Sequence, residues 1–254
     1  MGSALADMNS SSQADGYVFE PFDLIFLRRR SQIERLVGVT SYALGSMGGA
    51  ARLSEVLRKS PEHIERVREV EQQALAEIQA DMPLMHGAAA VLIWGALEAT
   101  FRDFLVRWLC RYPAARIVPE LKAVRVKLTE YESFQGEDRM RYLVGILERE
   151  LAASLRPGVG RFECLLSPFG IRPHVETDDR RALNELAAVR NVIVHRAAIA
   201  DARLIELCPW LGLEIGDEVT VGREAFIRYM SSASSFAASI VESATLVAEA
   251  DTGE

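Results

Sequence analysis

Apolar residues recur every three or four positions over most of this chain, which is the period of an α-helix, and strict alternation is nearly absent. Tyr17 to Leu27 is apolar, with Phe19, Phe22 and Phe26, and runs into Arg28, Arg29 and Arg30. This is either an amphipathic helix or an arm docked on the body. Gly45 to Gly49 breaks the pattern and separates two helices. Ser60-Pro61 reads as a helix start, with Ser60 as N-cap and Pro61 in the first turn. That helix extends to about Asp81 with Ile64, Val67, Val70, Leu75 and Ile78 inward. Pro83 opens the most apolar helix, to about Tyr112, with the stripe Val91, Trp94, Leu97, Phe101, Phe104, Leu105, Trp108 and Leu109. Glu98 falls inside that stripe.

Pro119 to Phe134 reads as one helix with Leu121, Val124 and Leu128 inward, and Glu137 to Leu155 as the next. Pro157 to Gly160 is a turn, and Pro168 to Pro173 an irregular connection. A helix over about Thr177 to Ala198 follows, with Asp178 and Asp179 in its first turn. A short helix from Asp201 to Leu207 is closed by Pro209. Gly216 to Gly222 looks like a turn into a short strand, and a last helix runs from about Arg223 to Ala250. In that helix Phe226, Tyr229, Met230, Phe236, Ile240 and Val241 are inward. The fold class is therefore all-α, a helical bundle with at most a short β-hairpin. The expected organisation is a disordered tail (1–16), an N-terminal helical extension (17–60) and a helical domain (61–250).

Composition narrows the function. With 254 residues, 49% of them hydrophobic, the chain can bury a core unaided. A net charge of -7 argues against general coating of nucleic acid but not against a local basic patch. Cys110, Cys164 and Cys208 are widely spaced and odd in number, so reduced thiols in a cytoplasmic protein fit, and no metal site is expected. No apolar run free of charge is long enough to span a bilayer, and a signal peptide is not expected.

The helix of residues 177–198 holds the candidate chemistry. At about 100° per residue, Leu183, Leu186, Ala187, Ile193, Val194 and Ala197 share one side, and Arg190 points into it. A guanidinium there needs a partner. Asn191 and His195 are four apart and sit one above the other on an adjoining side. Glu98 has the sign that Arg190 lacks; the two form either a site or a structural ion pair. His195 is either an acid–base group or a cation at a helix C-terminus. His63, His86 and His174 have no ligand spacing and read as structural. The serines Ser231, Ser232, Ser234 and Ser235 read as close helix packing.

The pattern Arg190-Asn191-x-x-x-His195 resembles the R-x4-6-H signature of the HEPN superfamily, in its R-N-x-x-x-H form. The long preceding helix with inward Glu98 and the ending after Pro209-Trp210 resemble the family as well, over about Pro61 to Ala250. The resemblance implies a HEPN-like bundle and a metal-independent endoribonuclease that needs no cofactor, with the RNA 2′-hydroxyl as nucleophile. His195 would move protons, and Arg190 would hold the phosphoryl oxygens. Asn191 would orient His195 or the phosphate, and Glu98 would fix Arg190. Arg196, Arg125 and Lys127 would contact the RNA backbone; for the basic group from Arg116 to Lys127 a solvated helix face is the competing reading. The resemblance also implies a homodimer with the motif helices across one cleft. Val189 and Val192, off the main stripe, would form that second buried surface, or else pack within one chain. Prokaryotic relatives often serve as toxins or in antiphage defence, so an antitoxin or regulatory partner is expected. Other relatives are non-catalytic RNA-binding or assembly modules.

Overall fold

The computed structural model of the chain describes residues 20–151 and 156–252. The expected tail over 1–16, the apolar start at Tyr17 to Phe19 and the end of the 137–155 helix fall wholly or partly outside them. Among the described residues there are eleven α-helices and no named strand. They are α1 (Glu20–Gly45), α2 (Ala50–Val56), α3 (Pro61–Gln79), α4 (Pro83–Arg111), α5 (Pro119–Ala123), α6 (Leu128–Ser133), α7 (Gly136–Glu150), α8 (Gly160–Leu166), α9 (Thr177–His195), α10 (Ala202–Leu207) and α11 (Arg223–Thr252). The hairpin expectation reduces to one antiparallel bridge, Ile199 with Glu218.

The chain divides into two compact units. One comprises the chain up to Arg28, Gly95–Ala187 and the chain from Ser232; the other comprises Arg29–Trp94 and Ala188–Ser231. The boundary expected at residue 60 lies inside the second unit.

The first unit is built on the C-terminal half of α4. Leu97, Phe101, Phe104, Leu105, Trp108 and Leu109 are all buried, as their helical spacing requires. Phe162 of α8 stacks edge-on to Phe101 at 4.7 Å and lies 5.6 Å from Phe236 of α11, so one ring joins three helices. Ion pairs ring this core. Arg102 grips both oxygens of Glu148 on α7, Arg141 meets Asp103 at 2.6 Å, and Arg180 of α9 binds Glu163 of α8 through two bonds. Pro119 to Phe134 is not one helix. Residues 124–127 leave helical conformation between α5 and α6; Leu121 is buried, while Leu128 is 63% exposed. The local stripe is too short to hold the helix together without a core to bury it.

In the second unit Ser60 accepts from His63 N at 3.3 Å and Pro61 follows it, as the sequence requires. The α3 stripe is a different matter. Ala74 is its only buried residue, and Val70, Leu75 and Ile78, expected inward, are exposed. The α3 helix is held at its side by polar contacts. The Glu71 carboxylate accepts from Gly49 N at 2.6 Å and from Ala51 N at 2.9 Å, capping α2 from a different helix. The α3–α4 corner turns through Asp81 and Met82, both at positive φ. Asp81 Oδ2 then accepts from Arg223 N at 2.6 Å at the start of α11. His86 is buried, with Nδ1 2.9 Å from the Asp81 carbonyl and its ring stacked on Phe226.

By length and composition alone α4 is long and apolar enough to cross a membrane, and half of its most apolar stretch is buried, as a core helix also requires. Its charge-free run still stops at Glu98, with Arg102 following.

Candidate active site on helix α9

The C-terminal end of α9 places Arg190, Asn191 and His195 in one compact unit. The buried face of α9 is not the one the sequence suggests. Ala182, Leu183, Glu185, Leu186, Ala188, Val189 and Val192 are buried, whereas Val194 and Ala197 are exposed. The buried arc is thus centred near Val189, and Leu183 and Leu186 fall on both the expected and the observed faces. Two corrections follow. Arg190 stands half-buried at the edge of the apolar arc rather than in its middle. Val189 and Val192 pack inside the chain, so they supply no second surface for a dimer.

His195 is exposed in the last turn of α9, and Asn191, one turn earlier, is half-buried. Four positions put these two side chains about 40° apart around the axis, so they can act on one ligand. Arg190 and His195, five apart, leave the helix roughly 140° apart and about 7.5 Å along it. Arg196 is mostly exposed, with Nε 3.5 Å from Asp201 Oδ2.

Glu98 belongs to the other unit. There the Arg161 guanidinium of α8 pairs with its carboxylate, and both side chains are largely covered. Arg125 and Lys127 also lie in that unit, exposed, with Lys127 bonded to Glu130 at 2.9 Å. The candidate RNA contacts Arg196, Arg125 and Lys127 are therefore not gathered within one unit.

Sequence reasoning missed two charged groups. Glu185 of α9 is only 3% exposed; re-centring the stripe on Val189 and Val192 would have exposed it as a buried carboxylate. Arg161 carries no local signal at all, because its partner is 63 residues away. Of the serine cluster, Ser232 is buried and donates to Asp179 Oδ1 at 2.7 Å, Ser234 is half-buried, and Ser231 and Ser235 are exposed, so close packing holds for part of it. Among the described residues no group of three or more His, Cys, Asp or Glu is placed to hold a metal ion. Burial pushes the Cys110 and Cys164 thiols up, which disfavours a nucleophilic thiolate at either. An open groove of about 420 Å³ between α2 and α3 is lined by Ala51, Arg52, Glu55, Arg68, Glu71, Gln72 and Leu75, none of them from α9. In it Arg68 bonds Glu55 and Glu65, and Glu71 caps α2, so much of its charge is already engaged.

No family model, curated protein or solved structure matches the chain.

Proposed function

We propose that the chain is a HEPN-type endoribonuclease that cleaves RNA by attack of the 2′-oxygen on the adjacent phosphorus, with loss of the 5′-oxygen. The observation that carries this reading is the solvent-exposed imidazole of His195 at the end of α9, one turn beyond Asn191 and five residues beyond half-buried Arg190. His195 takes the 2′-hydroxyl proton or gives one to the leaving 5′-oxygen. Arg190 stabilises the charge that develops on the phosphoryl oxygens. Asn191 orients the imidazole or the phosphate. The products are a 2′,3′-cyclic phosphate and a 5′-hydroxyl.

The divergence of Arg190 from His195 around the helix favours a site completed by a second copy. Exposed apolar residues beside the motif support a homodimer: Val194 is 46% and Ile199 42% exposed. So does α4, whose Gly87 lies close against Ile193 of α9 while its neighbours Leu84 and Leu92 face solvent. As a cytoplasmic toxin or defence effector, such an enzyme requires an antitoxin or other regulatory partner. A second reading, a non-catalytic RNA-binding or scaffolding module of the same class, draws on the Glu98–Arg161 pair, which gives Glu98 a structural task.

The test is cleavage of single-stranded RNA by purified protein in EDTA. His195→Ala and Arg190→Ala each abolish cutting while the melting temperature stays within a few degrees of wild type. Undiminished cutting by His195→Ala rejects the acid–base role.

A further inference from the structure

Helix α9 ends without a glycine. Ala197 and Ala198 follow His195 and Arg196 at φ +51° and +61°, the left-handed region where a Cβ crowds the backbone and glycine or asparagine is the usual occupant. The corner is closed by two bonds to one oxygen, Arg196 N at 2.8 Å and Ala198 N at 3.2 Å from the Val192 carbonyl. Immediately beyond it the backbone is gripped. Val219 N donates to the Ala198 carbonyl at 2.7 Å, Ala200 N donates to the Asp217 carbonyl at 2.8 Å, and Gly216 N donates to the Ala200 carbonyl at 3.0 Å. Asp201 adds a side-chain tie: Oδ1 accepts from Leu204 N at 2.9 Å and caps α10, while Oδ2 reaches Arg196. All of these residues lie in one compact unit.

Packing does not explain the alanines, because Ala197 is exposed and Ala198 half-buried. Their chemical difference from glycine is stiffness: an L-residue has one narrow left-handed well, whereas glycine roams. Strained non-glycine backbone persists where its surroundings over-determine it, and such positions cluster at functional sites. Here the strained pair joins the end of the motif helix to a segment fixed by three backbone bonds.

We propose that Ala197, Ala198 and Asp201 are positioning residues for His195: together they hold the end of α9 so that the exposed imidazole keeps one place relative to Asn191 and the scissile phosphate. The proposal rests on the ribonuclease reading of His195, and none of the three residues touches substrate.

The test uses the full chain carrying Ala197→Gly with Ala198→Gly, and separately Asp201→Asn, which can still cap α10 but loses its charge toward Arg196. Melting temperature, kcat, KM and amide exchange over residues 195–200 are measured for each. In the glycine variant the melting temperature does not fall, since relief of left-handed strain offsets the greater freedom of the unfolded chain. Exchange over 195–200 quickens, and kcat drops roughly tenfold to a hundredfold with KM unchanged. Asp201→Asn moves kcat the same way by less. A glycine variant with unchanged kcat overturns the proposal, as does one whose exchange over 195–200 is unaltered. If wild-type protein cuts no RNA, the ribonuclease reading fails by itself. The exchange measurement then still decides whether the corner fixes His195: quickened exchange sustains that, and unaltered exchange refutes it.

Discussion

Removing the Glu98 carboxylate separates scaffold from site. Glu98 lies in the middle of α4, and its pair with Arg161 leaves the two side chains only 20% and 24% exposed. Exposed pairs contribute about 0–1 kcal/mol, while breaking a fully buried one costs about 3–5 kcal/mol because the surviving charge is stranded. A pair with a fifth to a quarter of its surface wet falls between these limits, so Glu98→Ala should cost about 1–3 kcal/mol. For a chain of this size each kcal/mol shifts the melting temperature by about 2–4 °C, a fall of roughly 2–12 °C. The assay is thermal unfolding of Glu98→Ala, Arg161→Ala and the double variant. Their cycle should give a coupling of about 1 kcal/mol or more. Effects that add to within about 0.3–0.5 kcal/mol would refute the argument that the pair stabilises the first unit. Turnover of Glu98→Gln below its melting temperature decides the second role. A loss far beyond the unfolded fraction places Glu98 in the site; unchanged turnover leaves it in the scaffold alone.

Two further outcomes follow from local geometry. The backbone N–H groups of Ala51 and then Gly49 hold the Glu71 carboxyl below the usual glutamate range, against the opposing effect of burial. A carboxylate lowered in the folded state stabilises fully above its ordinary range and loses that contribution as pH falls through the lowered value, so α2 should loosen only in acid. Circular dichroism against pH should show this step, and Glu71→Gln should flatten it; an identical step in the variant would be contrary to the cap. A Cβ on Gly158, at φ +47°, would stand 1.8 Å from Asn184 Oδ1 and 2.7 Å from Asn184 Cα. Overpacking plus the left-handed penalty puts Gly158→Ala at about 2–5 kcal/mol, read as a lower melting temperature; a wild-type melting curve would mean the turn can move aside.

What was legible in the sequence is what neighbours along the chain decide. The α4 stripe, the Ser60-Pro61 start and the break at Gly45 to Gly49 each depend on residues within a few turns, and each stands where its spacing puts it. The α9 motif was located correctly as a helix end, but its facing was not. Apolar residues cover so much of α9 that periodicity alone admits two centres, and only packing selects Val189 and Val192 over Val194 and Ala197. The α3 stripe failed in the other direction, because Val70, Leu75 and Ile78 have the right spacing and no core to enter. Glu71 with Gly49, and Glu98 with Arg161, join residues 22 and 63 positions apart. No local pattern encodes such partners.

The central claim, that His195 and Arg190 serve an attack by the RNA's own 2′-oxygen, is tested most directly by the ends that cleavage leaves. An RNA oligonucleotide is cut by wild-type protein in EDTA, beside a twin carrying one 2′-deoxynucleotide immediately 5′ of the scissile phosphate. The account predicts a 2′,3′-cyclic phosphate and a 5′-hydroxyl from the first, and no cut at that position in the second. A 5′-phosphate product, or equal cutting of the deoxy-substituted strand, would contradict it.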